Sequence, residues 1–207
     1  KSILVCAKHL PEEELEGLAG FAFKQSDGTR YLGGFVGAAR QWAAWIRGQV
    51  EDWAHGVRCL AMVARRFPQT AYAGLTMSLQ SKWQYLQRVV PGLAEAFAPV
   101  EEALRESFLP ALLQVDAATV AESRALWALP TKQGGLGIPD PTTTGELLHR
   151  CSKAATAVLT DALTPGSDSF ELNAYLAEAR AERWAHNLEK VHKVRESMEV
   201  FLLNKSH

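Results

Sequence analysis

From Ala38 onward, apolar side chains recur with helical spacing. Trp42, Trp45, Ile46, Trp53, Val57, Leu60 and Ala64 fall three, four or seven positions apart and predict one long helix that ends before Pro68. Tyr72, Leu75, Leu79, Trp83, Leu86 and Val90 predict a second helix over about 69–90, stopped by Pro91-Gly92. A third is predicted over about 93–108, bent at Pro99 and closed before Pro110. A fourth covers about 117–128 and stops at Pro130. Residues 131–141 hold three glycines and two prolines, so a loop with special backbone angles is expected there. A fifth helix is expected over about 143–163, then a linker at Thr164-Pro165-Gly166-Ser167. A last helix, capped by Asp168 or Ser169, runs to about Leu203.

The first 37 residues carry a different pattern. Ser2–Ala7 is an apolar run of strand length, and Pro11 opens an acidic stretch, Glu12–Glu16, suited to a helix first turn. Phe21–Lys24 and Arg30–Phe35 flank Ser26-Asp27-Gly28-Thr29, and Asp-Gly between strand-like runs predicts a hairpin. The expected fold is mainly α: a small strand segment over 1–37, a helical bundle over 38–163 and a long C-terminal helix over 168–207. No internal repeat is visible.

Composition narrows this picture. With 207 residues and 47% hydrophobic content, the chain can fill one sizeable core, with or without a small appendage. No apolar run approaches the roughly 20 residues of a membrane span, and no leader pattern opens the chain, so an intracellular, nuclear or cytoplasmic protein that is not secreted is expected. The first residue is Lys1 rather than Met, which raises the expectation of further sequence upstream. Cys6, Cys59 and Cys151 are odd in number and widely spaced, which argues against a disulfide framework or a metal-ligand spacing. The net charge of −1 is low for a nucleic-acid binder, so any such role requires the cations to be unevenly placed.

No motif for catalysis is present. The acids near Glu12 and those at Glu101, Glu102 and Glu106 read as solvated helix faces. His186 and His192 are six apart and do not share a helix face. Gly33-Gly34 and Gly134-Gly135-x-Gly137 lack the residues of a phosphate loop and read as tight turns. One feature exceeds background. Arg40, Arg47, Arg58 and Arg65, spaced 7, 11 and 7, fall within roughly 20° of one another on the first long helix, opposite the tryptophans. Such a row suits a phosphate backbone; an ordinary solvated face with Glu51 pairing locally also accounts for it. Lys82, Gln84, Gln87 and Arg88 form a second polar patch. Trp42, Trp45, Trp53 and Trp83 read as core.

Three segments, in order, resemble the reverse transcriptases of non-LTR and DIRS-like retroelements: Lys1-Ser2 leading into an apolar strand, Tyr31-Leu32-Gly33-Gly34, and Leu129-Pro130 through Gly134-Gly135-Leu136-Gly137. Pro68–Tyr72 and Trp83–Pro91 are also similar to such reading frames. The resemblance covers about residues 1–140. It implies a palm remnant with a primer-grip hairpin over 1–37 and a helical thumb over 38–163, both belonging to an RNA-directed DNA polymerase. Tyr31, Leu32 and Gly33 would position the primer end. The parent polymerase would use aspartates on palm strands to bind Mg²⁺; this chain has no Asp-Asp pair and so no such cofactor site of its own. The partners implied are a primer–template RNA/DNA duplex and the upstream fingers and palm of the same polymerase, with no membrane. Arg40, Arg47, Arg58, Arg65, Lys82 and Arg88 are the candidate phosphate contacts, an assignment from helix geometry rather than from the family. A helical protein–protein interaction or scaffold domain without catalytic activity is the alternative.

Overall fold

The computed structural model describes residues 2–5, 16, 20, 23–163 and 171–205. The acidic stretch before Glu16, the linker at 164–167 and the expected caps Asp168 and Ser169 lie outside the described residues. Two units are resolved, Lys1–Asp52 and Trp53–His207, and the division falls inside the first long helix rather than at residue 37.

In the first unit, β1 (Ser2–Val5) pairs in parallel with β2 (Phe23–Ser26), and β3 (Gly28–Tyr31) pairs antiparallel with β4 (Gly34–Gly37). The hairpin therefore does not turn at Asp27-Gly28. That dipeptide separates two strands of different sheets. Ser26 Oγ donates to the Gly28 carbonyl at 2.7 Å, and Asp27 O accepts from Ala38 N at 2.7 Å. The true turn is Leu32-Gly33, both at positive φ (46° and 82°), which is the signature of a two-residue type I′ connection whose twist matches the strands. Phe35 of β4 stacks on Trp45, centroids 5.5 Å apart.

Helix α1 (Ala39–Ala64) follows. Its buried stripe is Ile46, Val50, Ala54, Val57, Ala61 and Ala64, mostly small residues spaced three or four apart. Trp42, Trp45 and Trp53 are half-buried beside that stripe.

The second unit is helical. Residues 68–89 form one rod: α2 (Pro68–Gly74), a π-helical turn (Leu75–Leu79) and α3 (Gln80–Val89). Pro68 sits at the first helical position, where its missing N–H costs nothing. The rod presents Leu75, Trp83 and Leu86 to the core, each at most 1% exposed. A second composite rod holds a 3₁₀ turn (Glu95–Phe97), α4 (Ala98–Ala103), another π turn (Leu104–Phe108) and α5 (Leu109–Leu113). The helix thus continues through Pro110, contrary to the sequence expectation. The π turn explains this: Leu109 N reaches back five residues to Leu104 O, which widens the backbone just where a proline ring would clash. Trp53 stacks on Phe97 at 6.0 Å.

The predicted fourth helix is two short ones, α6 (Ala117–Glu122) and α7 (Arg124–Ala128), broken at Ser123. Asp116 caps α6 by accepting from Thr119 N at 2.7 Å. Helix α8 (Pro141–Leu163) packs along α3, and α9 (Leu172–Lys205) packs along α8 and α7.

The loop 134–140 is held from outside. Tyr72 Oη donates to Leu136 O at 2.7 Å, Gln80 Nε2 to Gly137 O at 3.2 Å, and Gln87 Nε2 to Pro141 O at 2.6 Å. Tyr72 and Gln80 are eight apart, which in a plain α-helix would separate them by roughly 80°. The π turn between them absorbs one residue, so Tyr72, Gln80 and Gln87 recur with an effective spacing of seven and share a face.

Two glycines give opposite expectations. A Cβ on Gly135 would lie 2.2 Å from Leu129 O, whereas one on Gly145 would meet Gln87 only at 3.5 Å. Gly135→Ala should lower unfolding free energy by about 2 kcal/mol or more. Gly145→Ala, inside α8, should raise it by about 0.5–1 kcal/mol. Urea titration of both variants checks the pair; equal effects would contradict this loop geometry.

Candidate nucleic-acid interface

The tip of the β3–β4 hairpin carries Tyr31 and Leu32, 62% and 76% exposed. Leu32 is one of two non-glycine residues at positive φ among the described residues, the other being Gln114 at the end of α5. A leucine in that conformation costs of order 1 kcal/mol or more. Gly33 meets the same requirement without cost. The sequence places an exposed apolar side chain where Asn or Gly would be easier.

Arg40, Arg47 and Arg58 on α1, and Arg65 just beyond its last helical residue, are all exposed. By helical spacing they lie about a quarter turn from the centre of the buried stripe, on the side away from the tryptophans. Among the described residues none of the four is in an ion pair, and the anticipated pairing with Glu51 does not form. Lys82 and Arg88 on α3 are exposed as well; the Arg88 carbonyl receives His149 Nδ1 at 3.3 Å. Gln87, grouped with them on sequence, is fully buried and belongs to the loop clamp instead. Tyr31, Leu32, Gly33, Arg40 and Arg47 belong to the first unit; Arg58, Arg65, Lys82 and Arg88 belong to the second.

Within the second unit, Arg58 and Arg65 border a groove of about 940 Å³. Its other wall comes from the second rod and the start of α6, with Glu106, Gln114 and Asp116 among the lining residues. His55 and Cys59 also line it. Hydrogen bonds from the Thr119 backbone N–H and side chain hold the Asp116 carboxyl below its ordinary range, so it stays ionised. The groove thus has one cationic and one partly anionic wall.

Sequence reading treated Glu101 as part of a solvated face. Instead it forms a bidentate pair with Arg124, Nε to Oε1 at 2.6 Å and Nη2 to Oε2 at 2.8 Å, with both side chains 13% exposed. Arg124 Nη1 also donates to Ile138 O at 2.8 Å. Burial pushes the Glu101 carboxyl above its ordinary value, and the Arg124 hydrogen bonds and charge only partly offset that. A distance of 23 residues between partners left no local signal of this pairing. No group of three or more His, Cys, Asp or Glu side chains able to hold a metal occurs among the described residues. No described helix is long and apolar enough to cross a membrane.

Arg124→Met leaves the largely covered Glu101 carboxylate without its partner and should cost about 2–4 kcal/mol near neutral pH. A carboxyl with a raised folded value stabilises below its unfolded value, and that contribution is lost as pH rises through the folded one. The deficit against the parent chain should therefore shrink on acidification toward about pH 4.5, the ordinary glutamate value; a pH-independent deficit would contradict the assignment. Leu32→Asn should stabilise the first unit by up to about 1 kcal/mol, read from its thermal transition.

Comparison with protein-family models, with curated proteins and with solved structures returns no match to this chain.

Proposed function

We propose that this chain is the C-terminal, palm-end and thumb part of a reverse-transcriptase-like polymerase and that it holds a primer–template duplex. The observation that carries the reading is that Arg40 and Arg47 in the first unit, and Arg58 and Arg65 in the second, are all exposed with no acidic partner among the described residues. Guanidiniums left free in this way neutralise phosphates without reading base sequence. Two of the acids are tied up away from the row, Glu101 with Arg124 and Glu189 with Arg150. The resemblance at Tyr31-Leu32-Gly33-Gly34 supplies a second support. It falls on a tight two-residue turn with a strained, exposed leucine, a shape suited to meeting the end of a strand. Polymerisation itself would need metal-binding aspartates upstream, and Mg²⁺ would be held there rather than by this chain.

A scaffold role has its own support in α9, where Leu172, Leu176, Trp184 and Leu188 are all at least 39% exposed.

The test is fluorescence anisotropy with a labelled RNA/DNA primer–template across a salt series. Affinity should fall steeply with salt, and each of Arg40→Ala, Arg47→Ala, Arg58→Ala and Arg65→Ala should reduce the log–log slope by roughly one unit. Lys82→Ala and Arg88→Ala should act in the same direction. No binding at low salt would favour the scaffold role, and Mg²⁺-dependent primer extension by this chain alone would overturn the account of where the catalytic aspartates lie.

A further inference from the structure

Between Asp52 and Glu95 the chain holds Arg58, Arg65, Arg66, Lys82 and Arg88 and neither an Asp nor a Glu. In a chain of net charge −1 this is a strongly one-signed stretch. Within the second unit it folds as a helical hairpin, the end of α1 against the 68–89 rod. The arms approach closely: a Cβ on Gly56 would lie 3.2 Å from Leu79 Cδ2, and one on Gly74 3.2 Å from Leu60 Cδ2. The bend between them is Arg65-Arg66-Phe67, and it sets a ring in place. Phe67 N donates to Val63 O at 2.8 Å, and Phe67 O accepts from Ala71 N at 3.0 Å, so its backbone is bonded on both sides. The Arg66 guanidinium lies over the ring, 5.3 Å from its centroid. Phe67 is nevertheless 53% exposed, and Met62 in the last turn of α1 is exposed as well.

Single exposed apolar side chains are ordinary on a protein surface. Here the exposed ring is faced by one guanidinium, follows a second, Arg65, and sits in an acid-free stretch. Those are the parts of a single-strand platform: an aromatic face for a base and cations for the phosphates beside it. We infer that Phe67, backed by Arg66, stacks an unpaired base of a bound nucleic-acid strand while Arg58 and Arg65 hold its phosphates. The inference rests on the nucleic-acid reading above and adds that the chain takes single-stranded template next to duplex. Every base has a stacking face, so no base preference is expected. Glu106 and Asp116 on the far wall of the groove bordered by Arg58 and Arg65 repel phosphates, which places the strand toward the bend rather than within that groove.

A cation–π pair that merely closes the bend would give the same geometry, and three labelled probes distinguish the two. They are a blunt RNA/DNA duplex, the same duplex with a template overhang of about six nucleotides, and the overhang strand alone, each titrated with the full chain and read by anisotropy. The overhang should tighten binding about tenfold. Phe67→Leu, which keeps apolar bulk but no ring, should remove that gain and leave blunt-duplex affinity unchanged; Phe67→Tyr should retain the gain. Equal affinity for blunt and overhung duplex, a gain that survives in Phe67→Leu, or one lost equally in Phe67→Tyr overturns the inference and leaves the duplex reading standing. Phe67-dependent binding of the single strand without binding of the blunt duplex supports the inference and overturns the duplex reading. No binding of any probe at low salt overturns both.

Discussion

A loop that cannot bond to itself is the constraint on which the helical unit depends. Residues 134–140 contain three glycines, and their carbonyls have no regular ladder to enter. Three side chains meet them, Tyr72 at Leu136, Gln80 at Gly137 and Arg124 at Ile138, and a fourth, Gln87, meets the adjoining Pro141. Each carbonyl buried without such a donor would cost about 1–3 kcal/mol. The clamp also fixes the start of α8, because Pro141 is both an acceptor and its first residue. Through α8 it sets the seat of α9. A glycine-rich stretch that looks like a flexible connection is thus cross-linked to three elements of the unit.

The same clamp explains why two glutamines lie in an apolar core. Gln80 and Gln87 are 8% and 0% exposed, among Trp83, Leu86 and other large apolar side chains. One amide hydrogen bond each is satisfied, and the Oε1 atoms have no partner in the structure. The favourable term is therefore the donor that each supplies to the loop. Arg124 follows a similar logic. It bonds Ile138 O, and its charge is balanced by Glu101, so a loop contact brings a half-buried ion pair with it.

Much of this was legible in the residue pattern, and the failures share a cause. The stripes of α1, the 68–89 rod and α8 follow from local periodicity, and the structure shows them near the expected bounds. The mainly α class with a small strand segment ahead of the helices stands as read. Non-local facts were not legible. Strand β2 pairs with β1 across residues 6–22, so the Asp27-Gly28 signal lost to a distant partner. Pro110 was read as a stop because periodicity says nothing about a π turn before it. Gln87 was placed on a polar surface because its acceptor is 54 residues away. At the candidate interface, residue type and exposure agreed for the arginines, since a free surface needs no partner to be recognised.

The wide turn at Leu75–Leu79 has one more implication. It amounts to an α-helix holding a single surplus residue, with the phase of both flanks preserved. A chain shortened by one residue there would close into an ordinary helix and leave Tyr72, Gln80 and Gln87 aligned as before. Length variation is usually confined to loops; here a buried rod can accept it, while the glycine-rich loop opposite cannot.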